Sequence, residues 1–294
     1  MKQMEYIELD GRVLESLPVR KNRSNKGTYG KVLCIAGSRN MAGAAYLCAY
    51  AACRTGAGLV RVLTPEENRV IIQTLLPEAV LTTFDSENPD LEILREALAW
   101  ADVAAIGPGL GKESWAAEFV ELVLREYERP LVIDADGINH LSRRQEMLKE
   151  YKGSVILTPH VGEFARLSRK SIPDILEHIP EYAVSYAEKN QCICVLKDAP
   201  SAVGAPDGRC WINTTGNNGM STGGSGDVLT GIIAGLLAQK TEPLQAALLG
   251  VWIHGKSGDL AVKKEGVYGL LARHLIEYLP GAMCLQGEKE SEEQ

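Results

Sequence analysis

Short, almost uninterrupted apolar runs alternate with longer segments of helical spacing along most of this chain. Strands buried on both faces of a parallel sheet have such continuous apolar character. The predicted strands are 31–36, 59–63, 103–106, 131–134, 155–158 and 192–196, and the predicted helices between them are 44–54, 91–100, 115–128 and 180–189. The alternation therefore predicts an α/β fold, in which a doubly wound, mostly parallel central sheet is flanked by helices.

The pattern changes after residue 196. Residues 201–214 are typical of a β-hairpin with Pro206, Asp207 and Gly208 at its turn, and a glycine-rich loop follows. Helical segments are then predicted near 227–239, 243–264 and 269–278. We see no interdomain linker and no internal repeat, so we expect a single domain over 1–294, with an N-terminal extension at 1–26 and an acidic tail at 285–294.

The net charge and the cysteine content limit which binding partners and which cellular location we expect. The chain has 31 Lys and Arg against 38 Asp and Glu, a net charge of −7. This acidic balance argues against nucleic acid as a partner, although backbone N–H groups can still bind small anions. Seven cysteines without a CxxC pair predict a reduced, cytoplasmic location. No apolar stretch reaches the ~20 residues of a membrane span, so we expect no membrane association.

The strongest single motif is the glycine-rich loop at 213–227, which runs directly into an apolar helix. Several N–H groups and the positive end of the helix dipole could hold a phosphoryl group there. The predicted anion hole consists of Gly223, Gly224, Ser225 and Gly226. Asp227 lies in the first helical turn, where it could accept a proton from a substrate hydroxyl. The alternative is a long turn whose Asp only caps the helix.

Several predicted strands end in further loops of interest, and ligands bind at the carboxyl ends of strands in open α/β sheets. Gly107, Gly109 and Gly111 follow the strand at 103–106, but they lack the spacing of a dinucleotide fingerprint. A tight turn explains them as well as a ligand contact does.

Acidic residues and a histidine follow the next two strands. Asp134 and Asp136 could support hydrated Mg²⁺ or merely cap a helix. His160 could be catalytic or a satisfied loop residue. Glu163 could be an ordinary first-turn residue favoured by the helix dipole.

Seven segments, in this order, resemble the ADP/ATP-dependent NAD(P)H-hydrate dehydratases of the ribokinase-like superfamily. They are GTYGKVLCIAGS, MAGAAYLCAYAACRTGAGLVRVLTP, AIGPGLG, VIDADGIN, ILTPHVGEFARL, VLKDAPS and NNGMSTGGSGDVLTGIIAGLLAQ. The resemblance covers roughly 27–279, and it lacks the family's separate epimerase domain, which implies the stand-alone dehydratase. It also implies a ribokinase-like fold.

The resemblance implies a repair reaction. Hydrated NADH or NADPH carries a hydroxyl on its reduced nicotinamide ring; ADP or ATP phosphorylates that hydroxyl with Mg²⁺, phosphate leaves, and NAD(P)H is restored while AMP or ADP is released. The residues implied to contact the hydrate are Ala44, Gly109, His160 and Asp227, the last also being the catalytic base. Those implied to hold the adenine nucleotide are Lys197, Asp198, Ala199, Pro200, Ser201 and Gly226. No protein metal ligand is predicted.

One position departs from the family pattern. The nucleotide segment commonly reads KGxxT, whereas here Asp198 replaces the glycine and Ser201 the threonine. Asp198 adds a negative charge near a nucleotide, which bears on the choice between ADP and ATP; the resemblance favours ADP. It also implies a homo-oligomer, often a tetramer.

Two other functions remain open from the sequence. A related small-molecule kinase, acting on a hydroxymethylpyrimidine or hydroxyethylthiazole alcohol, would need the same anion hole and base. The segments GSRNMAGAA and TPHVGEF favour the dehydratases. A non-catalytic nucleotide-binding protein is the third hypothesis, and the intact glycine loop and Asp227 argue against it.

Overall fold

A sheet of ten strands runs through the computed structural model, which describes residues 5–284. The strands are β1 (Ile7–Glu8), β2 (Lys31–Ile35), β3 (Leu59–Pro65), β4 (Val80–Phe84), β5 (Val103–Ile106), β6 (Leu131–Ile133), β7 (Val155–Leu157), β8 (Ile193–Leu196), β9 (Ser201–Gly204) and β10 (Cys210–Asn213). Their order across the sheet is β1-β10-β9-β8-β7-β6-β5-β2-β3-β4. Strand β9 pairs antiparallel with β8 and β10, and the other pairs are parallel.

Helices cover both faces of this sheet. They are α1 (Ala42–Thr55), α2 (Arg69–Leu75), α3 (Leu91–Trp100), α4 (Ser114–Glu126), α5 (Ala135–Leu141), α6 (Met147–Glu150), α7 (Val161–Ser168), α8 (Ile172–Glu177), α9 (Ile179–Asn190), α10 (Ser225–Ala238), α11 (Pro243–Gly269), α12 (Ala272–Glu277) and α13 (Leu279–Ala282). Alternation along β2 shows the two cores: Val32 and Cys34 pack with α1 and α10, while Leu33 and Ile35 pack with α3 and α4. Because both faces are buried, the strands read as continuous apolar runs.

The predicted doubly wound α/β fold is confirmed, with a mostly parallel sheet between two helical layers. All six predicted strands and the hairpin are present. The sequence analysis missed β4 and β1, which form the two edges of the sheet. Within the predicted N-terminal extension, β1 pairs with β10, and Leu9 and Leu14 are buried in the core. The predicted acidic tail at 285–294 lies outside the described residues.

Helices α1 and α10 pack with their backbones in close contact. A Cβ atom added to Gly231 of α10 would lie 2.1 Å from the carbonyl oxygen of Cys48 in α1. Only glycine permits this approach, so the small residues here serve packing. This contact lies midway along both helices, and the contact of Gly224 with Leu47 brings the beginning of α10 next to α1.

A bilayer-spanning helix is not found between residues 5 and 284, because none of the helices there is both long and apolar enough.

Candidate active site

The loops after β6, β7 and β8 meet the beginning of α10 around a cavity of about 800 Å³. This is the carboxyl edge of the parallel strands, where the sequence analysis expected ligands. The predicted site residues that line the cavity are His160, Lys197, Asp198, Ala199, Pro200, Ser201, Ser225, Gly226 and Asp227. The structure therefore brings together segments that are far apart in the sequence.

The start of α10 provides donors for an anion. Within residues 5–284, the backbone N–H groups of Gly223, Gly224, Gly226 and Asp227 have no hydrogen-bond acceptor. Gly224 adopts φ +93°, and a Cβ atom there would lie 2.4 Å from Cδ1 of Leu47. The loop thus turns sharply against α1 and enters the helix with several donors unsatisfied. Such a helix start favours phosphate.

Asp227 is a partly buried carboxyl group on the first turn of this helix, facing the cavity. Burial raises its pKa to about 7, and the negative charge of Asp134 adds to the shift, while Lys197 opposes it. A carboxylate with this pKa is a competent general base near neutral pH. Among residues 5–284, no backbone N–H group donates to the Asp227 carboxylate, so this side chain does not cap the helix.

A buried ion pair lies beside Asp227. The Nζ atom of Lys197 is 2.8 Å from Oδ1 of Asp134, whose side chain is 1% exposed. Thr230 of α10 donates its hydroxyl hydrogen to Oδ2 of Asp134 at 2.8 Å. Although burial alone would shift both groups toward their neutral forms, the pairing raises the pKa of Lys197 and lowers that of Asp134, so both are charged. The pair joins the ends of β6 and β8 to α10.

His160 precedes α7 and caps it. The backbone N–H of Gly162 donates to its Nδ1 at 2.9 Å, so the neutral ring carries its proton on Nε2. That Nε2 atom lies 3.3 Å from Oε1 of the buried Glu163, and the backbone N–H of His160 donates to Oε2 of Glu163 at 2.9 Å. Glu163 therefore orients the imidazole. The sequence analysis had considered it only as an ordinary first-turn residue that the helix dipole stabilises.

Ala44 and Gly109 contact each other next to the cavity lining. A Cβ atom at Gly109 would lie 2.8 Å from Cβ of Ala44 and 3.1 Å from Cβ of Met41. Neither residue lines the cavity itself. The structure thus places these two predicted hydrate contacts on the side where α1 begins, and the nucleotide segment on the side of β8.

The segment from Lys197 to Ser201 forms a compact turn after β8. The hydroxyl of Ser201 donates to the carbonyl oxygen of Asp198 at 2.8 Å, and the N–H of Asp198 donates to that hydroxyl at 3.3 Å. The serine therefore fills the bonding role available to a threonine there. The Asp198 side chain is exposed at the cavity rim.

His254 is a cavity residue that the sequence analysis did not single out. It lies on α11, and its Nε2 is 2.9 Å from the carbonyl oxygen of Ser225. Burial lowers its pKa to about 4, so the neutral ring donates from Nε2 to Ser225. The only sequence feature that marks it is a histidine within an apolar helix, and that pattern does not distinguish a cavity residue from a core residue.

Comparisons with known proteins agree on one family. The sequence model of a family described as NAD(P)H-hydrate dehydratase matches residues 32–281. The ADP-dependent (S)-NAD(P)H-hydrate dehydratase of Bacillus subtilis is 37% identical over 268 residues, which are 91% of this chain and 94% of that protein. A bifunctional NAD(P)H-hydrate repair enzyme of Moorella thermoacetica is 41% identical over 271 residues. That match covers 90% of this chain and 51% of the relative, so the chain spans about half the length of such bifunctional proteins.

Solved structures give the same result. The Bacillus subtilis ADP/ATP-dependent NAD(P)H-hydrate dehydratase, co-crystallised with ATP and Mg²⁺, superposes with a TM-score of 0.81 at 34% identity, covering 92% of this chain and 94% of that one. A ribokinase-like superfamily protein of Enterococcus faecalis gives a TM-score of 0.84 at 30% identity, covering 96% and 98%. A Pyrococcus horikoshii hydroxyethylthiazole kinase, at 15% identity and a TM-score of 0.61 over 91% of each chain, shares the fold alone.

Proposed function

Since the chain belongs to the NAD(P)H-hydrate dehydratase family, we propose that it dehydrates hydrated NADH or NADPH back to NAD(P)H at the expense of ADP or ATP. The observation that carries this proposal is the pairing of a base with an anion hole. Asp227, with its pKa raised to about 7, follows Gly226, a residue of the cavity lining whose backbone N–H group has no acceptor among residues 5–284. Phosphorylation of a hydroxyl needs both parts side by side.

In the proposed reaction, the ionised Asp227 accepts the proton of the ring hydroxyl while the hydroxyl oxygen attacks the terminal phosphoryl group. The bond to the leaving AMP or ADP breaks, and the N–H groups of Gly223, Gly224 and Gly226 stabilise the charge on the transferring group, whereas the N–H of Ser225 donates to the carbonyl oxygen of Thr222. The phosphorylated hydrate then expels phosphate, a proton leaves the adjacent ring carbon, and the ring double bond is restored.

The two substrates are proposed to approach from opposite sides of Asp227. Ala44, Gly109 and His160 would contact the hydrate, since they lie toward the beginnings of α1 and α7. Residues 197–201 and Gly226 would contact the adenine nucleotide on the side of β8. Lys197 retains its positive charge through Asp134 and would attract the phosphates from there.

Magnesium would enter with the nucleotide as part of that substrate. Across residues 5–284, no group of three or more His, Cys, Asp or Glu side chains is placed to hold a metal ion. Asp134 is also engaged by Lys197 and Thr230. The phosphate oxygens and water would therefore be the ligands, and the ion would lower the negative charge of the phosphoryl group.

The test is recovery of NADH absorbance from hydrated NADH with Mg²⁺ and either ADP or ATP. We expect recovery with the wild-type protein and none with Asp227→Asn, which should still bind ADP in a calorimeter because the N–H groups remain. Absence of recovery with both nucleotides would refute the function. An unchanged rate in Asp227→Asn would refute the base.

The small-molecule kinase hypothesis is not favoured, because the family match and the Bacillus subtilis relative both correspond to dehydratases. A stable phosphorylated alcohol as product would contradict the dehydratase proposal.

The preferred nucleotide is proposed to be ADP, and the variant Asp198→Gly tests the effect of the extra negative charge. If Asp198 repels phosphate, this substitution lowers the KM for ATP more than the KM for ADP. Homo-oligomerisation stays a prediction, which light scattering of the purified protein would check.

A further inference from the structure

One arginine beside the proposed hydrate site has no anionic partner. Arg166 lies on α7 and is exposed, and its Nε donates to Oδ1 of Asn139 at 2.7 Å. Within residues 5–284 it forms no ion pair and makes no other hydrogen bond. The two terminal nitrogens of its guanidinium group therefore keep their donors available. A guanidinium fixed through Nε leaves the planar fork that suits bidentate phosphate binding.

The position of Arg166 relates it to His160. Gly162 lies between them: a Cβ atom there would be 2.8 Å from Cε1 of His160 and 4.0 Å from Nη1 of Arg166. The imidazole and the guanidinium thus flank the same backbone position, with His160 in the cavity lining and Arg166 outside it. A ligand that contacts His160 and extends beyond the lining along α7 can reach Arg166.

On the side of α5, a chain of hydrogen bonds orients Arg166. Asn139 donates its side-chain amide hydrogen to Oδ1 of Asp136 at 3.2 Å, and the N–H of Gly111 donates to Oδ2 of Asp136 at 2.9 Å. His140 also contacts the carbonyl oxygen of Gly111 through Nε2 at 2.8 Å. The loop that contains Gly109 is therefore linked to Arg166 through α5. A surface arginine that was merely solvated would not need this support.

We propose that Arg166 binds the pyrophosphate of the dinucleotide hydrate. This inference rests on the proposed function, because it assumes that the hydrated ring lies between Asp227 and the contacts at Gly109 and His160. The ring would then be enclosed, while the attached ribose and pyrophosphate extend past His160 to Arg166. Asn139 acts as a positioning residue for the guanidinium.

The test compares three substrates with Arg166→Gln and a matched control. The substrates are NADH hydrate, NADPH hydrate and the hydrate of phosphate-free dihydronicotinamide riboside. Arg169→Gln is the control, because Arg169 is exposed at the end of the same helix and has no described ion pair. Melting temperatures of both variants verify the fold, which neither exposed substitution should disturb.

For Arg166→Gln we expect the KM for NADH hydrate and for NADPH hydrate to rise at least about tenfold, the loss typical of a charged hydrogen bond. The KM for the riboside hydrate and for ADP should stay within about twofold, as should every constant of Arg169→Gln. Arg166→Lys should recover part of the loss, because lysine restores the charge without the fork.

Two results would overturn the inference: an equal effect on the riboside hydrate, which would indicate a structural role, or no effect on either dinucleotide. A loss confined to NADPH hydrate would assign Arg166 to the 2′-phosphate and overturn the pyrophosphate assignment. If the wild-type protein turned over no hydrate, the proposed function would fail instead. Calorimetric measurement of NADH hydrate binding would then test the inference about Arg166. If the wild-type protein did not bind NADH hydrate, or if wild type and Arg166→Gln bound it equally, the inference would be refuted.

Discussion

The charge state of Asp227 depends on its neighbours as much as on the residue itself. Burial is the main cause of its raised pKa, and the carboxylates of Asp134, Glu163 and Asp136 add to it, while Lys197 lowers it. Only the ionised form accepts a proton. The pKa therefore converts directly into a pH range for activity.

We expect kcat/KM for the hydrate to rise with pH through about 7, because the free enzyme loses the proton of Asp227 there. Asp134→Asn removes the largest of these negative charges, which favours the ionised Asp227, while Lys197 still faces the carboxylates of Glu163 and Asp227. The rise should accordingly move to lower pH. Asp136→Asn is the control, since Asp136 contributes least among these groups, and its profile should move less. A pH–rate profile of the three proteins makes the comparison; an unshifted profile in Asp134→Asn would contradict it.

At the scale of elements, the turn into α10 carries the proposed phosphate site and depends on one glycine. Gly224→Ala would force a side chain into a backbone with φ +93° and against Leu47. We expect the free energy of unfolding to fall by about 1–3 kcal/mol, as for other strained backbone positions. ADP binding should weaken as the turn shifts.

Gly223→Ala provides the matched control. A Cβ atom at Gly223 would meet nothing within 4 Å, and its φ is not in the positive region. Its free energy of unfolding in urea should stay within about 0.5 kcal/mol of the wild-type value, as for ordinary surface substitutions. Equal stability of the two variants would show that the turn tolerates a side chain.

Elements were predictable where burial made their sequence uniform. Strand β2 is apolar throughout because both of its faces are covered, whereas the edge strand β4 contains two threonines and begins with an exposed Val80, so it gave no clear signal. Asp227 and its glycine loop could be predicted as a candidate site because they are adjacent in the chain. The contacts of Asp134 to Lys197 and to Thr230 span 63 and 96 positions, and no local pattern encodes them.

At the scale of the molecule, one sheet separates two helical layers, and tryptophan fluorescence can follow the unfolding of each layer. Trp115 belongs to the core that contains α4, and Trp211 and Trp252 belong to the core that contains α10 and α11. Strands β2 to β10 contribute side chains to both layers, so neither layer can lose its packing alone. We expect urea unfolding to be a single transition.

Because Trp100 packs against the same core as Trp115, a double variant at Trp100 and Trp115 and a second double variant at Trp211 and Trp252 separate the two fluorescence signals. Their midpoints should coincide with each other and with the loss of helical circular dichroism. Midpoints that differ between the two signals would mean that the layers unfold independently.

The close contact of α1 with α10 has a consequence for the rate at which the protein hydrolyses ADP or ATP in the absence of a hydrate. Helix α1 begins beside Ala44 and α10 begins at the proposed phosphate site, and the contacts of Gly224 with Leu47 and of Gly231 with Cys48 hold the two helices together. We therefore expect phosphoryl transfer to an acceptor that contacts both helix beginnings. A single water molecule would not make both contacts, so we expect the protein to hydrolyse little ADP or ATP when no hydrate is bound.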